Sequence, residues 1–385
     1  MTERIVRLLA EDWRAEEKKV SQAMNFVCGQ MIAHATSFGA SPFESLDVED
    51  LFSAVQLLAS RREHEAAPLV AAWHPGVEAF DGKSMPSNFD RSFANFLLGK
   101  SDRPSEIVRQ AIEAMTGPGD GRVYRRLIER MTTALRQLVH IDDEGSLEYL
   151  MPILDLAQRD HRLTVATLNY DRSIELISRA KGVHVETGME QWSEKGSWQW
   201  AEHGVRLLKL HGSIDWCEEH FGRSHEGALR QSRIRITDDP LNETSRPAVV
   251  FGQRGKLRAE GPILDLLAKF RDDLNETDEL VVMGYSFRDE HINEYIRRWI
   301  NADSLRRIIV VDPEFPQRSG SLERGFRAEM VRALLPVSSH QKFAPRLGVV
   351  REAASSALPK VTADDWWESN LTTDDPDGTS EAVRG

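Results

Sequence analysis

Leu163-Thr164-Val165-Ala166-Thr167-Leu168-Asn169-Tyr170-Asp171 is a short apolar run that closes on hydrogen-bonding residues. A run of this length with β-branched members predicts a buried strand, and the polar close predicts the turn that ends it. The same pattern recurs downstream in Val183–Glu186, Val205–Leu210, Ala248–Phe251, Leu280–Gly284 and Ile308–Val311. Between these runs lie helical spacings, such as Ile263, Leu266, Leu267 and Phe270, or Ile292, Tyr295, Ile296 and Trp299. Strand–helix alternation predicts an α/β fold with a Rossmann-like, doubly wound, mostly parallel sheet. Such sheets bind ligands beyond the carboxyl ends of their strands.

Upstream of Leu163 the texture is helical. Ile5, Leu8, Leu9 and Trp13 share one helical face, and Thr2 is placed to cap it. Val20, Met24, Val27 and Met31 repeat the spacing. Asp47, with Glu49 and Asp50 in the following turn, predicts a helix start before Val48, Leu51, Phe52, Val55 and Leu58. Ile107, Ile112 and Met115 predict a further helix stopped by Gly117-Pro118-Gly119, and Val123, Leu127, Met131, Leu135 and Leu138 another. Trp73–Arg103, rich in Phe, Ser, Asn and Pro, gives no clear element. Residues 369–385 are Asp-, Thr- and Gly-rich and are expected to be disordered. The linear division is therefore a helical part (1–160), an α/β core (161–345), an extension (346–368) and a tail (369–385).

The chain has 385 residues, 61 acidic and 49 basic side chains, and a net charge of -12. That balance argues against general nucleic-acid binding, which needs clustered Lys and Arg on phosphates. Two cysteines, Cys28 and Cys217, are too few for a four-thiolate zinc site, and no metal site is expected. Met1–Lys19 is charged throughout and does not read as a signal peptide, and no apolar stretch reaches the length of a membrane span, so a cytoplasmic location is expected.

Four runs end in polar sequence. These ends are Thr167–Asp171; Lys209-Leu210-His211-Gly212-Ser213-Ile214-Asp215-Trp216; Gly284-Tyr285-Ser286-Phe287-Arg288-Asp289-Glu290-His291-Ile292-Asn293; and Asp312-Pro313. Each also has a plain structural reading. Asn and Asp after strands form turns, a His beside Gly is often a satisfied side chain, and Asp289, His291 and Asn293 cap and solvate a helix start. Trp192, Trp198, Trp200 and Trp216 read as packing rather than as a base-stacking platform.

The order of these ends resembles the sirtuins. That family carries Thr-Gln-Asn-Ile-Asp, then a catalytic His followed by Gly, then Gly-Thr-Ser. Here Thr167-x-Asn169-x-Asp171, His211-Gly212 and Gly284-x-Ser286 follow in the same order. The forms Asn-Tyr-Asp, Lys-Leu-His-Gly-Ser-Ile-Asp-Trp and Gly-Tyr-Ser-Phe-x-Asp are most similar to the zinc-free bacterial branch associated with anti-phage NAD hydrolases. The resemblance covers Leu163 to Pro313. It implies NAD as ligand or substrate, Asn169 and His211 as the catalytic pair, and Thr167, Asp171, Gly212, Gly284, Ser286 and Asp312 as NAD-binding residues. The residue types suit those roles. Asn169 can orient a water or ribose hydroxyl without adding charge. His211 is a type of base that works near neutral pH. Gly284 admits close backbone approach, Ser286 can donate to phosphate or ribose, and Asp312 can accept from ribose hydroxyls.

Two features depart from the resemblance. The four-cysteine zinc module of the deacetylases is not encoded, which favours NAD hydrolysis or NAD sensing over deacetylation. The strand and Gly-Ala-Gly-x-Ser loop with which family members open are not found, and Phe38-Gly39-Ala40-Ser41 is only a partial echo between helical segments. The resemblance leads us to expect a start codon upstream of Met1; an in-frame stop directly before Met1 in the gene would overturn that. The functional expectation is an NAD glycohydrolase in a bacterial defence context, held off by a partner protein or homo-oligomer until triggered. The alternative is a non-catalytic sensor or scaffold that binds NAD or ADP-ribose.

Overall fold

The computed structural model describes residues 2–10, 15–41, 46–64, 75–80, 121–160, 162–219, 233–243, 245, 247–249, 262–315, 325–335 and 345–363, with the single residues 95, 98, 100, 105 and 108. In chain order the first elements are α1 (Thr2–Ala10), α2 (Ala15–Ser37), α3 (Val48–Ala59), α4 (Pro75–Phe80), α5 (Arg122–Val139), a 3-10 turn (Glu144–Leu150) and α6 (Met151–Arg159). Then follow β1 (Arg162–Thr167), α7 (Ser173–Lys181), β2 (Val185–Glu186), α8 (Met189–Lys195), β3 (Gly204–Lys209), β4 (Gly212–Glu219), β5 (Arg233–Ile236) and β6 (Pro247–Val249). The last are α9 (Ile263–Asn275), β7 (Glu279–Met283), α10 (Glu290–Ala302), β8 (Arg307–Val311), α11 (Phe326–Leu334), β9 (Leu347–Val350) and α12 (Ala354–Val361). The fold is mixed α/β, with many helices and small, mostly parallel sheets. The helix read at Ile107–Met115, apart from Val108, its stop at Gly117–Gly119 and the tail 369–385 lie outside the described residues.

The chain divides into two compact units. One comprises Met1–His140, Asn169–Asp171 and His211–Gly261; the other comprises Ile141–Leu168, Arg172–Leu210 and Pro262–Gly385. Each unit thus draws on segments that are separate in the chain.

In the first unit α5 packs against α1, α2 and α3. The apolar faces read from the sequence are the ones that meet: Ile5, Met24, Leu51, Phe52, Val55, Leu127, Met131 and Leu135 are each at most 1% exposed. Burying each such side chain contributes about 1.5–3 kcal/mol. Asp47 caps α3, accepting from the Glu49 N–H at 2.8 Å. Thr2 does not cap α1. It lies inside the helix, buried, and its hydroxyl donates to the Leu46 carbonyl at 2.5 Å. Arg61 is buried as well. It donates to the Leu58 carbonyl at 2.8 Å and to both carboxylate oxygens of Glu78 at 3.2 and 3.3 Å. Its charge is thus paired inside the core, which an isolated buried guanidinium would not tolerate.

The sheet of the first unit is antiparallel, in the order β5-β4-β6. This corrects two sequence readings. The polar sequence after His211 is not a loop at a strand end but β4 itself, buried from Gly212 to Cys217. The run at Ala248 is a short antiparallel edge strand beside it, not a parallel strand. Gly212 has φ 82°, and a Cβ there would stand 2.0 Å from the Ala248 carbonyl oxygen. Only glycine permits that approach. Arg136 of α5 ties the far end of this sheet: it donates to the carbonyls of Glu243 at 2.6 Å and Ser245 at 2.7 Å.

The second unit holds two parallel sheets, β1-β3-β2 and β7-β8-β9. Among the described residues these strands form two sheets of three rather than one continuous sheet. β8 is buried from Ile308 to Val311, as a central parallel strand covered on both faces should be. β1 alternates between exposed and half-buried residues, and the half-buried Leu163 and Val165 pack with Leu154, Ile177 and Val205.

Candidate active site

β1 runs in parallel register with β3, pairing Thr167 with Lys209. The Leu210 N–H donates to the Thr167 carbonyl at 2.9 Å, extending that pairing one step. Lys209 is 1% exposed, and its ammonium meets Glu175 Oε1 of α7 at 2.7 Å. A buried lysine needs such a partner to stay charged.

Asn169, Asp171, His211 and Gly212 fall in the first unit. There the Ile214 N–H donates to the Tyr170 carbonyl at 3.0 Å, joining the Asn-Tyr-Asp segment to the start of β4. The Tyr170 ring lies 6.2 Å from the His211 ring, centroid to centroid, inclined by 30°. Tyr170 itself belongs to the apolar core of the helical bundle. His211 is 5% exposed, and its Nδ1 stands 3.7 Å from Glu49 Oε1 in the first turn of α3. Asn169 is exposed and Asp171 is half-buried. Two further polar side chains of β4 are buried: Asp215 at 5% exposure, and Ser213 at 0%, whose hydroxyl has no hydrogen-bond partner among the described residues. The imidazole thus has an aromatic ring and a carboxylate among its neighbours.

Thr167, Gly284, Ser286 and Asp312 fall in the second unit. Gly284 follows β7 at φ 62°, exposed, with no heavy atom within 4 Å of where a Cβ would stand. That open space suits a group approaching the backbone closely. Ser286 is exposed beside it. The loop is rigidified from beneath. Asn293 is fully buried, and its amide donates to the Phe287 carbonyl at 2.8 Å. The Tyr285 hydroxyl lies 3.0 Å from both Asn293 Oδ1 and the Asp289 carbonyl. Phe287, buried at φ 58°, is thereby held in a conformation uncommon for a bulky residue. Asp289 caps α10 through the His291 N–H at 3.1 Å, as the sequence suggested, but Asn293 is a buried network member rather than a solvated one.

Asp312 ends β8 in a tight turn, accepting from the Glu314 N–H at 2.9 Å. Its second oxygen stands 2.8 Å from Arg327 Nη2. That guanidinium also lies over the rings of Phe287 and Phe315. The carboxylate thus already has an intramolecular cation.

Trp192, Trp198 and Trp200 stack in series, with centroid spacings of 6.0 and 5.4 Å, and Arg206 and Lys269 lie over Trp200. Trp216 is buried in β4, in the other unit. Both cysteines are free and buried, and burial pushes each thiol up to about 11. Among the described residues no group of three or more His, Cys, Asp or Glu is placed to hold a metal ion. No described helix is long and apolar enough to cross a membrane.

Residues 163–333 match the family model of the SIR2-like domain. The match supports a sirtuin-like family and an NAD-related function for this region. It begins where β1 begins to bury side chains and ends within α11, so every candidate site residue named above lies inside it. Glu49 lies outside it. No curated protein matches the chain. Glu49 and Arg327 were not singled out from the sequence as partners of site residues. Each is a charged residue on a helix, a pattern that normally marks a solvated face.

Proposed function

We propose that this SIR2-like protein is an NAD glycohydrolase. It would cleave the nicotinamide–ribose bond to give nicotinamide and ADP-ribose. The observation that carries the reading is the setting of His211. Its ring rests on Tyr170 of the Asn169-Tyr170-Asp171 segment, a backbone hydrogen bond joins that segment to β4, and a carboxylate faces Nδ1. NAD supplies a leaving group whose departure develops positive charge on the ribose. In this reading His211 takes a proton from a ribose hydroxyl or an attacking water. Asn169, exposed next to that histidine's ring partner in sequence, orients the hydroxyl or water with a neutral amide, which adds no charge to a centre becoming cationic. The binding roles of Thr167, Asp171, Gly212, Gly284, Ser286 and Asp312 rest on the motif resemblance.

The defence context, the cytoplasmic setting and control by a partner or oligomer belong to the same reading. An enzyme that depletes NAD must be restrained until it is needed. Neither zinc nor deacylation is called on. The test is NAD consumption and nicotinamide release by the purified full chain, beside His211→Ala. We expect turnover in the wild type and loss of at least a hundredfold in the variant, the usual scale of general-base catalysis. If the wild type binds NAD or ADP-ribose without releasing nicotinamide, and His211→Ala binds it equally, the protein is a sensor and not a hydrolase.

A further inference from the structure

We propose that Glu49 is a positioning residue for His211, fixing which ring nitrogen carries the proton. This rests on the reading of His211 as the base, and it adds a residue outside the SIR2-like region. The geometry is specific. Glu49 Oε1 lies 3.7 Å from His211 Nδ1, and the imidazole is 5% exposed. A neutral imidazole has one N–H, and the partner of one nitrogen decides the state of the other. A carboxylate facing Nδ1 accepts only, so it favours the Nδ1–H form, the tautomer whose basic lone pair is on Nε2. The separation is longer than a closed hydrogen bond, as catalytic contacts often are before a ligand tightens them.

The carboxylate is itself held in place. Glu49 sits in the first turn of α3, where the helix dipole favours a negative charge. Asp47 caps that turn through the Glu49 N–H at 2.8 Å. Leu51, Phe52 and Val55 of the same helix are fully buried, which anchors the turn against the bundle. On the histidine side, Tyr170 restrains the ring face and the glycine-only conformation of Gly212 fixes the backbone just after it. Glu49, Tyr170 and His211 all belong to one compact unit.

The test is the tautomer of His211, read from imidazole 15N and 1H shifts in histidine-labelled full chain, with the signal assigned by its loss in His211→Ala. We expect the Nδ1–H form in the wild type, against the Nε2–H form that a free neutral histidine favours. Glu49→Ala should move the signal toward Nε2–H, and Glu49→Asp should restore part of the Nδ1–H population. A wild-type signal already in the Nε2–H form, or one unmoved by Glu49→Ala, overturns the proposal whatever the activity. With NAD, Glu49→Ala should lower kcat roughly ten- to a hundredfold while KM stays within about twofold, with Glu49→Asp intermediate. An equal rise in KM with unchanged kcat would instead make Glu49 a binding residue and also overturns it. If no form consumes NAD, the hydrolase reading fails alone and the tautomer still decides the role of Glu49.

Discussion

Gly212 sets the close approach of β6 to β4. The sequence marks it as the glycine after a histidine. The structure makes it the first residue of β4, at φ 82°, against the Ala248 carbonyl. A methyl group there would meet that oxygen at 2.0 Å, and the backbone conformation disfavours any side chain. Gly212→Ala should therefore cost at least about 2 kcal/mol, measured as a drop in the urea midpoint at unchanged slope. A cost under about 0.5 kcal/mol would mean that β6 does not press on this position. Asn293 is the complementary case. Its type suggested a solvated helix start, yet it is fully buried, with Phe287 and Tyr285 as partners. Residue type shows that a group can hydrogen-bond. It does not show with whom.

At the scale of the element, α3 carries more than its length suggests. Its start was legible: Asp47 before Val48, acids in the first turn, and Leu51, Phe52 and Val55 on one face. The cap formed as read. Asp47→Ala should lower stability by about 1 kcal/mol, visible as a lowered thermal midpoint. It should also loosen the turn that presents Glu49, so the His211 tautomer should shift in the same direction as in Glu49→Ala, but less. The parallel strands were legible because burial on both faces forces a continuous apolar run, as in Ile308–Val311. β4 was not, because its buried sequence is Gly-Ser-Ile-Asp-Trp-Cys, and Ser213 and Asp215 break the apolar run. β9 and β5 are four residues each, too short for period to separate them from loop.

At the scale of the whole molecule, the chain is acidic and holds two buried thiols, which gives stability an alkaline limit. Burial raises Cys28 from an ordinary 9.0 to about 11. Burial also raises Cys217 to about 11, with the nearby Glu243 charge adding to it. Below about pH 9 the thiols are protonated in both states, and their burial carries no ionisation cost. Between about 9 and 11 the unfolded chain ionises while the folded one does not, so stability should fall with rising pH. Urea midpoints at pH 8 and pH 10 measure this, and Cys28→Ala should show a smaller fall than the wild type. An identical fall in both would remove Cys28 from the account. The sequence by itself determined the α/β alternation, the apolar faces of the described helices α1, α2, α3 and α5, the caps at Asp47 and Asp289, and the order of the polar strand ends. Each is set by neighbours within a few positions, where period and residue type carry the information. Only the tertiary structure decided that the described strands pair in three small sheets, that the Asn169–Asp171 and His211 segments join the helical unit, that Asp312 faces Arg327, and that Glu49 faces His211. These are contacts between residues far apart in the chain, and no local pattern encodes which distant partner will close them.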